Sequence, residues 1–238
     1  MSSMHLRLAS YNVHKCLGLD RRRSAARVLD VIEEVGADIL ALQEVDHRLG
    51  NRPAALPRSL IEARGHYAAL PHAVTETSLG WHGQAILVRR GIEVKRIQRV
   101  ALPGLEPRGA ILAELETAAG ALRIVGVHLG LIRRYRLMQM AAITAALSRH
   151  GDLPTAIIGD FNEWSHRNGV GPLRDTFHVH VPGPTYPALR PVGSLDRVAV
   201  GSGLHLVNAG VHSTATARVA SDHLPVWAEV RLETVSGG

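Results

Sequence analysis

Short apolar runs recur along the chain, and most stop beside a residue that can hold a metal, move a proton or bind phosphate. Leu6 to Tyr11 ends at Asn12, Asp38 to Gln43 at Glu44, Leu122 to Val127 at His128, and Thr155 to Gly159 at Asp160-Phe161-Asn162. Asp196 lies within Leu195 to Val200, and Asp222-His223 stands just before Leu224 to Val230. Runs this short, bounded by turn residues, predict strands buried in a sheet. Ala25, Val28, Leu29 and Ile32 recur at helical spacing, so a helix is predicted over Ser24–Val35, ending near Gly36. A second is predicted over Arg134–Arg149, with Leu137, Met140, Ala141, Thr144 and Leu147 facing inward, and a short one at Leu60–Ala63. The middle reads as successive strands at His66–Leu70, Gln84–Val88, Glu93–Ala101, Ala110–Glu116 and Leu122–His128, punctuated by Gly91, Pro103-Gly104 and Ala119-Gly120. Hairpin-like strands with helices toward each flank predict an α/β protein of two mostly antiparallel sheets, packed together and covered by helices. Strand ends on one rim of a rigid sheet are where catalytic groups converge, so one active site drawn from the whole chain is expected.

Length and composition change this picture little. With 238 residues, 46% of them hydrophobic, a sizeable core is available, and a single domain over residues 1–238 is expected. Cys16 is the only cysteine, which excludes an intramolecular disulfide and favours a reducing compartment. The first residues carry no signal-peptide core, and no apolar stretch approaches the ~20 residues that span a bilayer, so a cytoplasmic location is expected. Charge is more informative. A formal net charge of +6 and a pI of about 10.2 favour polyanionic partners: nucleic acid, an anionic membrane surface or phosphorylated small molecules. The excess is arginine, clustered at Arg21-Arg22-Arg23, Arg89-Arg90 and Arg133-Arg134, with Arg136 close by. No Gly-x-Gly-x-x-Gly follows the first strand, and neither a Walker loop nor a Cys/His zinc spacing occurs.

The strand-end residues can do specific chemistry. Glu44 and Asp160 are hard oxygen ligands suited to Mg²⁺ or Mn²⁺. His223, with Asp222 beside it and Asp196 on a nearby strand, has the parts of an oriented imidazole whose tautomer and basicity a carboxylate fixes. Asn12 and Asn162 can donate amide hydrogen bonds to a phosphate or position a water, and His128 can donate to phosphate or act as a general acid. Each also has an ordinary structural reading. Asp160 and Asn162 after a strand fit an Asx-turn, Asp222 a turn cap before Pro225, His128 a satisfied core histidine, and Asp196-Arg197 a local ion pair.

Their order decides between these readings. Ser10-Tyr11-Asn12, Leu42-Gln43-Glu44-Val45, Gly126-Val127-His128-Leu129, Gly159-Asp160-Phe161-Asn162, Ser194-Leu195-Asp196-Arg197-Val198 and Ser221-Asp222-His223-Leu224-Pro225-Val226 together resemble the endonuclease/exonuclease/phosphatase superfamily, with its deoxyribonuclease-I-like fold. Each motif is weak alone; six in the family's order over residues 6–232 are specific. The resemblance implies a four-layer α/β/β/α sandwich and water attack on phosphorus without a covalent intermediate, helped by Mg²⁺ or Mn²⁺. It implies Glu44 as principal metal ligand, supported by Asn12 and Asp222. It further implies Asp160 as base or water-positioning residue, Asn162 beside it holding phosphate, His223 oriented by Asp196, and His128 across the scissile phosphate. Where apurinic endonucleases place an aspartate two residues after the asparagine, this chain has His14. The Asn12-Val13-His14-Lys15 opening, and His128-Leu129-Gly130-Leu131 followed by Arg136 and Gln139, are more similar to a small bacterial branch, some of whose members resemble proteins encoded beside cardiolipin synthases, a link to lipid phosphodiesters by association alone.

The substrate expected on these grounds is a phosphodiester, either nucleic acid or an anionic phospholipid headgroup, with no obligate protein partner. Lys15, Arg133, Arg134 and Arg136 are the candidates for a second phosphate or headgroup. Aromatic content of 4% leaves few stacking platforms for unpaired bases. A lipid substrate and peripheral membrane contact predict exposed apolar loop residues beside the basic ones, with Leu17, Leu19, Leu131 and Ile132 suitably placed. The alternative is a catalytically silent protein of the same fold that binds anions or a partner.

Overall fold

The computed structural model describes residues 5–165 and 169–233. The chain runs β1 (His5–Asn12), α1 (Ala25–Val35), β2 (Ile39–Gln43), α2 (Arg58–Arg64), β3 (Tyr67–Ala69), β4 (Ala85–Arg89), β5 (Glu93–Leu102), β6 (Arg108–Thr117) and β7 (Gly120–His128). It continues through α3 (Arg133–Leu147), β8 (Thr155–Asp160), β9 (Phe177–His180), β10 (Asp196–Gly201), β11 (Leu204–Val211), α4 (Ala217–Ala220) and β12 (Val226–Leu232). The strands form two six-stranded sheets, ordered β11-β12-β1-β2-β4-β3 and β5-β6-β7-β8-β10-β9. Each sheet contains one parallel pair, β1 with β2 and β7 with β8, and is otherwise antiparallel.

Period-two alternation builds the layers. In β2, Ile39 and Ala41 face the second sheet while Leu40 and Leu42 face the helices. In β8, Ala156 and Ile158 face the first sheet while Ile157 points outward. The core between the sheets is aliphatic, with Leu8 and Ile86 meeting Ile111, Ile124 and Val198. α1, α2 and α4 cover the first sheet, and α3 covers the second. The result is the expected α/β/β/α sandwich. Central strands are covered on both faces, which is why they read as continuous apolar runs.

α1 forms where its spacing predicts. The Ser24 side chain caps it by accepting from the Arg27 amide at 3.2 Å, and Gly36 ends it in the left-handed region at φ 62°. The middle strands occur with ends displaced by one or two residues. The predicted inward face of α3 needs correction. Ala141 is exposed, Leu137, Thr144 and Leu147 lie at the margin, and the buried stripe is Arg136, Gln139, Met140, Ile143 and Ala146. Two polar side chains set this rotation because loop backbone satisfies them. Gln139 accepts from the Gly130 amide at 2.8 Å and donates to the Pro103 carbonyl at 2.9 Å. Helical periodicity counts only apolar residues and cannot anticipate buried polar ones with partners.

The pairing also fixes the chemistry's position. The ends of β1 and β2 lie level with the start of β12, and the ends of β7 and β8 with the start of β10. Asn12 at the end of β1 donates to Asp160 at the end of β8 over 3.2 Å, so these edges of the two sheets form one rim.

Candidate active site

On the second sheet the register aligns three polar residues across adjacent strands. His128 of β7 is the Cα partner of Asp160 of β8, and Asp160 is the partner of Asp196 of β10. All three are buried. His128 Nε2 lies 3.5 Å from Asp160 Oδ2, the same oxygen that accepts from Asn12. His223, on the loop entering β12, places Nδ1 2.9 Å from Asp196 Oδ2 and Nε2 3.9 Å from Asp160 Oδ2. Residues distant in sequence thus close into one cluster around the Asp160 carboxylate.

The surroundings assign different charges to the two imidazoles. Burial drives His128 well below its ordinary value, reinforced by the positive charges of Arg108, His223, Arg48 and Lys15, so it is neutral. Burial also pulls His223 down, but the carboxylates of Asp196, Asp160 and Asp222 overcome this and hold it well above the usual histidine range. His223 is therefore an imidazolium at neutral pH, with Nδ1 donating to Asp196 and Nε2 turned toward the cluster. Burial raises the Asp160 carboxyl above the ordinary carboxylate range, against the pull of His223 and the bonds from Asn162 and Asn12.

Asp160 and Asn162 form the Asx-turn that the sequence allows. Asp160 Oδ1 accepts from the Asn162 amide at 2.8 Å, an Asx-turn, while Oδ2 faces the cluster. Asn162 adopts φ 49°, and its side-chain amide donates to the Leu129 carbonyl at 2.9 Å. Its amide nitrogen thus ties the loop after Asp160 to the loop after His128.

Glu44 follows β2 in the left-handed region at φ 56°, uncommon for any residue other than glycine. Its carboxylate is paired with the Lys15 ammonium and approached by Arg48. Burial would raise its pKa, but Lys15 and Arg48 outweigh burial and hold it below the ordinary value. The turn His14–Cys16 links Glu44 to its neighbours: the Lys15 amide donates to the Glu44 carbonyl at 2.9 Å, the His14 amide donates to Asn12 Oδ1 at 3.1 Å, and the His14 ring lies 3.8 Å from Asp222. Lys15 thus sits beside Glu44, its ammonium paired with that carboxylate. His14, where relatives of one branch carry aspartate, faces a carboxylate instead of adding one.

Two predicted substrate-binding residues lie elsewhere. Arg136 is buried and paired with Glu163 at 2.9 Å, and it also donates to the Leu131 and Gly130 carbonyls. It is a strut between two site loops rather than a cation available to a phosphate. Arg134 is exposed on the first turn of α3, beyond the cluster. Asp196 and Arg197 are not a surface ion pair either, since both are fully buried and Arg197 donates to the Glu163 and Ser165 carbonyls.

The structure adds residues that the sequence did not mark. Thr185 donates to Asp196 Oδ2 at 2.6 Å, and Ser221 donates to the Asn12 carbonyl at 2.7 Å. The Tyr186 ring packs against His223 with centroids 5.0 Å apart. A cavity of about 160 Å³ opens between Glu44 and His128, its wall carrying Arg48, Arg52, His82 and Arg108. Thr185 and Tyr186 belong to the loop between Pro182 and Pro191, whose composition marks a turn region and nothing more.

The chain is 27% identical to YbhP of Escherichia coli (strain K12), itself described as uncharacterized, over 257 aligned positions covering 95% of this chain and 96% of that one. Among solved structures, an endonuclease/exonuclease/phosphatase family protein from Bacteroides thetaiotaomicron superposes with a TM-score of 0.79 at 16% identity, over 98% of this chain and 100% of that one. The human Nocturnin catalytic domain with bound sulfate gives 0.73 at 20%, over 97% and 96% of the two chains. TDP2 of D. rerio, complexed with a single-strand DNA product, gives 0.74 at 16%, over 95% and 99%. These likenesses share the fold. The family model for endonuclease/exonuclease/phosphatase proteins matches residues 9–223, a stretch that holds every residue of the cluster, and the chain belongs to that family, whose members are in general metal-dependent phosphoesterases and nucleases.

Proposed function

We propose that this protein hydrolyses a phosphodiester with the help of Mg²⁺ or Mn²⁺. The observation that carries the reading is the cluster at the joined rim, where Asp160 meets Asn12, His128 and an imidazolium held by Asp196. Perturbed acids and bases gathered at strand ends are the usual machinery of such a site.

The donor set fits a hard divalent cation. Glu44 supplies a carboxylate held ionised, Asn12 a carboxamide oxygen and Asp222 a second carboxylate. Among the described residues no three acidic, histidine or cysteine side chains converge as a closed cage. Mg²⁺ does not require such a cage, since it keeps several waters and takes only one or two carboxylates. When bound, the cation would polarise a phosphate oxygen and offset the charge that develops there.

The protein's own groups do the rest. Asp160 orients the attacking water and takes its proton, and its raised pKa suits that task near neutral pH. The water oxygen bonds to phosphorus as the ester P–O bond breaks, and the departing oxygen leaves opposite the water and takes a proton from solvent to become the alcohol. His223 Nε2 donates to a non-bridging oxygen, its positive charge matching the transition state. Neutral His128 donates to the same phosphate. Asn162 acts by holding the Asp160 and His128 loops together.

Hydrolysis of a soluble aryl phosphodiester in the presence of Mg²⁺ or Mn²⁺ tests this reading. Chelator abolishes turnover, and Glu44→Gln raises the cation concentration for half-maximal rate by at least about tenfold with the fold retained. Turnover indifferent to both changes overturns it. Phosphate binding with no turnover on any phosphodiester would identify a silent anion-binding protein instead.

A further inference from the structure

The apolar surface of this protein is distributed unevenly. Among the described residues eleven large hydrophobic side chains are exposed, and only Met138 and Val207 lie away from the catalytic rim. The other nine stand on loops at the same edge of the two sheets as the site residues. Single exposed apolar residues are normal on a protein surface, whereas contiguous ones mark interaction sites.

Contacts join these loops into one arc. Leu105, 77% exposed, lies on the β5–β6 loop, whose Glu106 carboxylate accepts from the Leu131 amide. Leu131 and Ile132, 66% and 50% exposed, follow His128 directly. The Leu131 carbonyl accepts from Arg136, which reaches across to Glu163, the neighbour of Trp164. Trp164 is 58% exposed, yet it is held in place edge-on to Tyr186, with its ring resting on Gly193. Val192, beside Gly193, continues the arc around to His223, on whose ring Tyr186 packs. The remaining exposed apolar residues of the rim stand on the loops near Tyr186 and after β1, β2 and β3.

Cations are interleaved with these tips. Arg133 and Arg134 adjoin Ile132, Arg190 precedes Val192 by two positions, and Arg48 precedes an exposed leucine. Apolar tips with arginines between them match the interface of an anionic bilayer, where side chains enter the headgroup boundary and arginines meet lipid phosphates. A tryptophan held with one face wet is the residue most at home there. Duplex nucleic acid asks for the opposite, a polar groove following the phosphates. Among the described residues no helix is long and apolar enough to cross a membrane, so the contact is peripheral.

We propose that the catalytic rim docks on an anionic phospholipid surface and presents the site to a phosphodiester in that surface. The substrate part of this inference rests on the phosphodiesterase reading; the docking part does not.

The test measures co-sedimentation with phosphatidylcholine vesicles and with vesicles containing phosphatidylglycerol or cardiolipin, for wild type and for Leu131→Ser/Ile132→Ser. Soluble aryl phosphodiester hydrolysis is followed in parallel. Wild type associates with the anionic vesicles, and each apolar tip removed weakens association by about tenfold. Hydrolysis of the soluble ester stays unchanged in the variant, because neither residue belongs to the catalytic cluster. Trp164 emission shifts to shorter wavelength on vesicle addition, and Trp164→Phe loses that shift. Failure to associate with anionic vesicles, equal association of the variant, or tighter binding of duplex DNA weakened by the same substitutions each overturns the proposal. Loss of soluble ester hydrolysis in wild type would instead strike the phosphodiesterase reading and leave docking standing.

Discussion

Replacing His223 by alanine lowers turnover of an activated phosphodiester by roughly a thousandfold, the upper end of the ~10²–10³ range for removing a donor aimed at developing negative charge. The geometry makes the effect large. Nδ1 is committed to Asp196, so only Nε2 faces the cluster, and three carboxylates keep the ring charged. Alanine removes the donor and the charge together. It also leaves Asp196, fully buried, with Thr185 as its remaining side-chain partner. His223→Asn separates the two losses, because an asparagine amide can stand where Nδ1 stood but offers nothing at Nε2. The asparagine variant therefore loses turnover as the alanine variant does while keeping more stability, measured by steady-state kinetics and thermal unfolding together. Turnover within tenfold of wild type in both variants would remove His223 from the chemistry.

Removing Glu163 destabilises the fold by about 3 kcal/mol or somewhat more, because it strands a buried cation. The Arg136–Glu163 pair is closed from solvent on both sides, with 6% exposure of each side chain. The carboxylate also accepts from the Ser165 amide at 2.9 Å. Glu163→Ala leaves the guanidinium among the Gly130 and Leu131 carbonyls with no opposing charge, and the melting temperature falls by about 10 °C. Replacing both partners with apolar residues of similar size recovers much of the loss, since the stranded charge goes with them. Urea unfolding of the two single variants and the double variant measures this, and additive losses would contradict it. The pair joins the loop after His128 to the segment after Asp160, so the single variants also lose turnover by loosening both groups.

The two cases differ in how far the sequence announced them. His223 was legible because it stands at the end of an ordered series of motifs, each placed where a strand begins or stops. Glu163 was not marked, and Arg136 was misassigned as a phosphate-binding cation. An arginine near other arginines reads as surface charge, and only packing shows that it is enclosed and paired. The same limit applies to α3, where the apolar pattern put Ala141 inward and the structure buries Gln139 instead. Thr185, Ser221 and Tyr186 carried no signal because their roles are contacts made across the rim.

The sequence by itself determined the middle strands, α1 with its serine and glycine caps, the two-sheet class and the polar residues at the strand ends. These depend on short-range rules, namely the alternation of a strand, the period of a helix and the backbone needs of its ends, and each is written in consecutive residues. Only the tertiary structure decided which charges meet. Arg136 pairs with Glu163, Lys15 pairs with Glu44, and His128 is neutral while His223 is charged. Protonation and pairing depend on burial and on neighbours brought together from distant segments, and those exist only once the two sheets have packed face to face.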